Sequence, residues 1–366
     1  MLARSPRCSR WPGSAEKGKM ALKLKSQRTQ PSVQSRPFKA ILLYSVMSDW
    51  TQDDTLLSEE CITRMKRGLS VVGLESTHVA IRKDVAGPLR GFDPREYVIF
   101  NWAEGLDGAP NAYDAVPPVL EEMGFAYTGA DAWTLAASLD KAYTKKILLE
   151  NKIPTPVSKV YDRAVLNGWR RYPALVKPAT EHCSFGITRE AVVDNPQQLK
   201  DRIQYVIDTW KCPALVEDFI DGTEFNVSVW GNGDEAQVLP ISAMDYSAFA
   251  DYHDRLCTFD AKWNPESEAY RLTAVQCPAD LDKTLKRRIE RVALATYRAL
   301  KLRDYGRVDM RVRNGVPYVL DVNANPDITM EGGFARSARA AGYDYGQMTA
   351  HILTLAARRM PNGTKA

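Results

Sequence analysis

Two alternating segments joined by a turn signal constrain this chain more than anything else in it. Arg307-Val-Asp-Met-Arg-Val312 and Tyr318-Val-Leu-Asp-Val-Asn323 flank Arg313-Asn314-Gly315-Val316-Pro317. Polar side chains at 307, 309 and 311, and again at 321 and 323, have the period of a half-buried strand. Asn-Gly is a strong hairpin signal. A two-residue turn would set Asp309 opposite Leu320 and mix the faces. A three-residue loop over 314–316 sets Asp309 opposite Asp321 and Met310 opposite Leu320. Because a slip of one residue moves every side chain to the other face, the apolar pattern selects the second register. Arg307, Asp309, Asp321 and Asn323 then share one face. Carboxylates opposed across a sheet repel unless a cation lies between them. Hard oxygen donors at 309, 321 and 323 suit Mg²⁺. A solvated surface hairpin fits the same pattern.

The chain has 366 residues, enough for two or three lobes, and no stretch of about 18 apolar residues that would span a membrane. Its six cysteines include no C-x-x-C pair, which points to a reducing compartment, and its four histidines lack zinc-ligand spacing. The net charge of +4 hides an asymmetry: residues 1–39 carry ten Lys or Arg against one Glu, leaving the remainder at −5. Residues 1–38 read as a disordered basic extension. Their composition fits an organelle-targeting segment, an upstream extension with Met20 as the working start, or a nucleic-acid arm. The acidic body offers nucleic acid no binding face, so the expected setting is cytoplasmic, without nucleic-acid or membrane partners.

Strands at 39–44, 77–82 and 97–100, with a helix near 55–69, predict a small parallel α/β domain over 39–130. A helix from Ser138 to Asn151 and strands at 157–161, 174–177, 186–188 and 214–217 predict a β-rich lobe over 131–216. A second lobe, 217–361, opens with Thr223–Val229, where Phe225, Val227 and Val229 face oppositely to Glu224, Asn226 and Ser228. Helices near 281–300 and 345–358 complete it.

Three further features carry chemistry. Lys177 ends an apolar strand before a small-residue loop with Glu181, Ser184 and Gly186, which can present an ammonium and backbone N–H groups to phosphate. Taken alone, the segment fits a snorkelling lysine above an ordinary hairpin better. Glu217-Asp218-Phe219-Ile220, with Glu224 beyond, offers backbone edges for a purine and a carboxylate for ribose hydroxyls. Lys141 and Lys262 are cations far apart in sequence. The order of these features, with Tyr127-Thr-Gly-Ala130, Ile153-Pro-Thr-Pro156 and Gly306-Arg-Val-Asp309, resembles the ATP-grasp superfamily, closest to its D-alanine–D-alanine ligase branch, over residues 39–360.

The resemblance implies an α/β (α+β) ATP-grasp fold: a small parallel α/β N-terminal domain and two β-rich lobes clasping ATP. It implies that Lys141 and Lys177 contact phosphates, that the 181–186 loop closes over them, that Glu217 to Ile220 form the adenine hinge, and that Glu224 binds ribose. It further implies that Asp309, Asp321 and Asn323 hold two Mg²⁺ ions, with Mn²⁺ as a substitute, and that Lys262 and Arg307 stabilise the transferring phosphoryl group and the tetrahedral intermediate. The implied activity is ADP-forming joining of a small-molecule carboxylate to an amine, by a homodimer.

The chain departs from the pattern in the substrate region. Asp321 stands where the family has Glu. The loop reads His182-Cys183-Ser184-Phe185-Gly186 in place of Gly-Ser-Ser-Val-Gly, Trp263 replaces Tyr, and Ser45-Val-Met-Ser-Asp49 replaces a Gly-rich motif with a glutamate. Gly332 stands at the serine that binds the second D-alanine's carboxylate, and Asp327 replaces a glycine. A pocket without the partners of one group has no grip on it. The expectation is therefore a ligase for another amino acid or small metabolite, with Asp327, Glu331 and Arg336 as candidate substrate contacts or as capping and solvated positions. Cys183, beside His182, reads as non-catalytic. A true D-alanine–D-alanine ligase, a regulatory ATP-binding protein and a kinase of the same fold remain as alternatives.

Overall fold

The computed structural model describes residues 37–361 apart from 110–111, 166–167, 182–183 and 265. The basic extension, save its last two residues, and the His182-Cys183 pair lie outside the described residues. The chain opens with β1 (Lys39–Ser45), α1 (Gln52–Val71), β2 (Ser76–Ile81), β3 (Tyr97–Trp102), α2 (Val116–Glu122) and β4 (Ala126–Tyr127). The four strands form a parallel sheet in the order β2-β1-β3-β4. The apolar run of β1 is continuous because both its faces are covered. Ala40, Leu42 and Tyr44 pack with Met65 and Leu69 of α1, while Ile41 and Leu43 pack with Val116 and Leu120 of α2.

Next come α3 (Ala132–Leu139), α4 (Lys141–Glu150), β5 (Ser158–Tyr161), β6 (Ala174–Pro178), β7 (Val192–Val193), α5 (Pro196–Trp210) and β8 (Ala214–Asp218). The single helix expected from Ser138 is broken. Asp140 accepts from the Tyr143 N–H at 2.9 Å and caps a new helix whose first residue is Lys141. These strands form an antiparallel sheet, β5-β8-β6-β7, with Leu199, Ile203 and Val206 of α5 against Val176 and Val216. The expected strand at 186–188 does not form. Ser184 and Gly186 take positive φ (61° and 72°), the Ile187 N–H donates to the Ser184 carbonyl, and pairing with β6 starts only at Val192.

The third sheet contains β9 (Glu224–Trp230), β10 (Gln237–Val238) and β11 (Ser242–Asp245), then, after α6 (Phe259–Trp263) and α7 (Glu268–Leu272), β12 (Ala274–Gln276). After α8 (Lys283–Ala299) come β13 (Tyr305–Arg313) and β14 (Val316–Asn323). The order is β12-β11-β9-β13-β14, with β10 beside β9. Phe225, Val227, Val229, Val308 and Met310 face α8, as the alternation in β9 and β13 requires. Asp309 does stand opposite Asp321, but by another route than expected. The turn is the two-residue one, with Asn314 and Gly315 at φ 55° and 72°, and Met310 faces Val319. A bulge at Leu320 restores the register. It leaves the Leu320 carbonyl 3.4 Å from the Lys177 ammonium.

Finally α9 (Gly333–Ala340) leads to α10 (Tyr345–Ala357), which returns to the first sheet and buries Met348, Ile352 and Leu353 there. Where α10 crosses α1, a Cβ on Gly346 would lie 2.2 Å from the Gly68 carbonyl oxygen. Gly346→Ala is expected to destabilise the protein by about 1–3 kcal/mol in urea denaturation, because the backbones must separate. No helix among the described residues is long and apolar enough to cross a membrane.

Candidate active site

The second and third sheets face each other across a cavity of about 860 Å³, a size that suits a nucleotide with a second ligand. Lys141, Lys177, Glu181, Ser184, Glu217, Asp218, Phe219, Ile220, Glu224 and Lys262 line it. So do Arg307, Asp309, Asp321, Asn323, Asp327, Glu331 and Arg336. These seventeen candidates thus meet in one place, while Gly186 and residues 45–49 are not among its lining.

The innermost group is Glu217, 1 % exposed, with one carboxylate oxygen 2.7 Å from Lys177 Nζ and the other 2.9 Å from Lys145 Nζ. Lys145 was not foreseen; it also donates to Thr155 Oγ1 and the Pro156 carbonyl. Its signal was its place four residues after Lys141, on the same helix face. Burial raises the Glu217 carboxyl pKa, but the two ammonium groups outweigh burial and hold it below the ordinary glutamate value. Burial lowers Lys145 and prevails. For Lys177 burial is offset by Glu217 and Asp321, and its pKa lies above the ordinary lysine value. Burial depresses Lys141, whose ammonium donates to the Glu181 carbonyl.

Beyond Glu217, Asp218 is held bidentately by Arg171 at 2.7 and 2.8 Å, and the Phe219 N–H donates to the Pro173 carbonyl. Both therefore fix the edge of the cavity. Glu224 accepts from Arg311 at 3.0 Å and from the Tyr246 hydroxyl at 3.2 Å. Arg311, also unforeseen, is buried between the rings of Phe219 and Tyr246 and donates to the Ile220 carbonyl. Its alternation with Arg307 and Asp309 on β13 was the signal.

On the hairpin, Arg307 grips Asp309 through two bonds of 2.7 and 2.9 Å, and the amides of Asn226 and Asn323 donate to the same carboxylate at 2.9 and 3.0 Å. Burial works against the Arg307 charge, but Asp309 outweighs it and raises its pKa. The four lone-pair positions of Asp309 are thus engaged. The cation demanded between the opposed carboxylates is supplied here by the protein: Arg307 at Asp309, and Lys141 and Lys177 near enough to feel Asp321. The donor set still suits Mg²⁺, which needs only one or two carboxylates beside phosphate oxygens. Among the described residues no three His, Cys, Asp or Glu side chains form a cage by themselves. Cys257 lies beside these cations, and its buried thiol is pushed up to about 11, which keeps it protonated.

At the far end Asp327 accepts from the Thr329 N–H and hydroxyl, both at 2.9 Å, and shapes the turn before α9. Glu331 lies 3.4 Å from Arg64 of α1. Arg336, half-buried, donates weakly to the Glu331 carbonyl at 3.4 Å.

Outside the cavity lining, Arg189 pairs with Asp251 and Asp254, and His253 bridges Asp251 and Asp194 at 2.6 and 2.9 Å. Burial opposes the His253 charge, but the two aspartates outweigh it and raise its pKa.

Carboxylates, amides and cations converging between two antiparallel sheets define an ATP-grasp ligase of the ADP-forming, C–N bond-making class. The chain belongs to the D-alanine–D-alanine ligase family, since residues 146–354 match the family model for the D-ala D-ala ligase C-terminus. It is 33% identical over 268 residues to the uncharacterized protein y4sG of Sinorhizobium fredii, covering 72% of this chain and 75% of that protein. A D-alanine–D-alanine ligase of Desulforudis audaxviator is 29% identical over 307 residues, 82% of this chain and 92% of the relative. The fold is shared with the Bacillus anthracis D-alanine–D-alanine ligase complexed with ATP, with a TM-score of 0.66 and 24% identity over 88% of this chain and 98% of that one.

Glu217→Gln leaves two buried ammonium groups without their countercharge and is expected to cost about 3–5 kcal/mol in denaturant unfolding. A carboxyl with a depressed folded pKa contributes above its unfolded pKa and loses that contribution as pH falls through the folded pKa. The wild-type advantage over Glu217→Gln should therefore shrink in acid. The His253 bridge has the opposite sign: it is fully present below the unfolded histidine pKa and lost as pH rises through the raised folded value. His253→Ala is expected to cost up to about 1 kcal/mol at pH 5.5 and nearly nothing at pH 8.5, by the same measurement.

Proposed function

We propose that the chain joins a carboxylate to an amine through an acyl phosphate, on an amino acid or small metabolite other than a pair of D-alanines. A carboxylate resists amine attack because its leaving group would be oxide. Transfer of the ATP γ-phosphoryl to a carboxylate oxygen gives ADP and an acyl phosphate. The amine nitrogen then attacks the acyl carbon, phosphate leaves, and the amine proton is lost to solvent. Lys141 and Lys177 bind phosphate oxygens, while Lys262 and Arg307 meet the charge that develops during transfer and on the tetrahedral carbon. Asp309, Asp321 and Asn323 would hold Mg²⁺, two ions by family resemblance, which neutralises phosphate charge when bound. Glu217 orients Lys145 and Lys177, and the backbone of 218–220 is read as the adenine edge. The lobes are taken as 131–216 and 217–361, and the assembly as a homodimer.

The observation that carries the substrate reading is at Gly332. A Cβ there would lie 2.9 Å from Asp327 Oδ2 and 3.1 Å from the Thr329 carbonyl oxygen. A serine at 332 would require the Asp327 carboxylate, now bonded to Thr329, to shift. Relatives called D-alanine–D-alanine ligases suggest the dipeptide, and that reading is kept as the competitor.

The test is phosphate release from Mg-ATP across a matrix of amino acids and amines, with mass spectrometry on each active pair. The expected product is lighter than the summed substrates by one water, from a pair other than D-alanine with itself. Efficient turnover of D-alanine alone would overturn the substrate reading. Arg307→Lys, which keeps a charge beside Asp309 but loses the fork, is expected to lower amide formation about 100-fold or more while ATP affinity stays near wild type.

A further inference from the structure

We propose that Phe185, by stacking on Phe259, positions Lys262 for phosphoryl transfer, so that a loop of the second lobe sets where a lysine of the third lobe stands. This rests on the ligase reading above and adds to it a positioning residue that touches neither substrate nor metal.

Lys262 needs an outside support. It lies on α6, a helix of five residues between β11 and β12 that joins no sheet. Thr258 caps α6 by accepting from the Ala261 N–H at 3.0 Å. A helix this short does not hold itself in water and takes its place from what it packs against. Phe259 stands three residues before Lys262, on the same side of the turn. Lys262 lines the cavity, and its charge reaches the Cys257 thiol, as do those of Asp309 and Arg307. The lysine therefore belongs to the Arg307 end, and a shift of α6 carries it away from there.

The Phe259 ring stacks on Phe185, with 5.9 Å between centroids and 17° between planes. Phe185 stacks in turn on Trp210, at 5.6 Å and 25°. Trp210 ends α5, and Arg202 of the same helix donates to the Gly186 carbonyl at 2.6 Å. Gly186 is packed so closely that a Cβ would lie 2.8 Å from Pro178 Cδ. Phe185 is thus held from behind by the second lobe and offers its other face to α6. Stacked rings fix distance and tilt together, which an aliphatic contact does not.

The residues before α6 follow the same plan. Leu256 is buried with Val192, Tyr252 donates to Asp194, and Asp251 and Asp254 pair with Arg189. Residues 251–259 belong by sequence to the third lobe and rest on the second. A lysine carried at the end of such a segment is aligned with Arg307 and Asp309 by the loop that holds Phe185.

The experiment measures hydroxamate formation. Amino acids and simple carboxylic acids are offered singly with Mg-ATP and hydroxylamine, whose nitrogen attacks the acyl phosphate as phosphate leaves. For the donor so found, Phe259→Leu, at a residue outside the cavity lining, should lower kcat about 10-fold. Its ATP KM should stay within about twofold of wild type, because a misplaced charge costs rate rather than nucleotide binding. Phe259→Tyr, which restores a ring, should recover most of the loss. Phe185→Leu should lower kcat to the same degree, and Phe185→Leu/Phe259→Leu should add little further. In a Lys262→Met background, Phe259→Leu should change kcat less than twofold, since the group it positions is gone.

A full 10-fold cost of Phe259→Leu in the Lys262→Met enzyme shows a merely structural role and overturns the assignment while leaving the ligase intact. So does a Phe259→Leu enzyme as fast as wild type, a Phe259→Tyr enzyme no better than the leucine variant, or a Lys262→Met enzyme without loss. If Lys262→Met gives no signal, the aromatic pair decides: losses that multiply, or an ATP KM that rises as far as kcat falls, overturn the assignment. No hydroxamate from the wild type with any donor overturns the ligase reading, and the assignment with it.

Discussion

The structure depends on one buried carboxylate. Glu217 lies in the middle of a strand, almost without exposure, and two lysines from different elements meet on it. Lys145 comes from α4 and Lys177 from β6, so a single anion ties a helix to the second sheet. Lys177 also reaches the Leu320 carbonyl, which the hairpin bulge exposes, and so connects that sheet to the third. Burying three charges is expensive, and each is tolerable only because the others are present. The arrangement leaves a net positive charge at the floor of the cavity, which a polyphosphate would complete.

The same economy governs the hairpin. Asp309 has four donors around it and Arg307 has Asp309, so these side chains are held in place before any ligand arrives. Preorganisation of this kind favours catalysis, because the dipoles and charges need not be reoriented during reaction. A divalent ion at Asp309 would have to exchange for one of these bonds, since the lone pairs of that carboxylate are already committed.

The far end is built on another principle. There the turn is fixed by Asp327 on Thr329, a side chain at 332 would crowd Asp327, and the charges are looser. Around Glu217 and Asp309, by contrast, the charges are buried and mutually bonded. Two of the departures, Asp327 and Gly332, fall where the wall is formed by a short turn, α1 and α9. The return of α10 to the first sheet, with Gly346 against Gly68, packs α1 closely against α10.

The sequence by itself determined the alternating faces of β9, β13 and β14, the opposition of Asp309 and Asp321, and the order of the site residues along the chain. These are local properties: strand period, turn chemistry and spacing are set by near neighbours. It did not determine how the register was reached, since a bulge at Leu320 and a longer turn both restore the same apolar pattern and differ only in how the hairpin packs. Nor did it reveal Lys145 or Arg311, whose charges look like solvated surface until a strand from elsewhere supplies Glu217 or Glu224. The break at Asp140 and the loss of the strand at 186–188 have the same origin: a capping bond and a positive-φ turn outweighed the local apolar pattern. Only the tertiary structure decides which ions become buried partners, because the strength of a charge pair depends on the water that distant segments exclude.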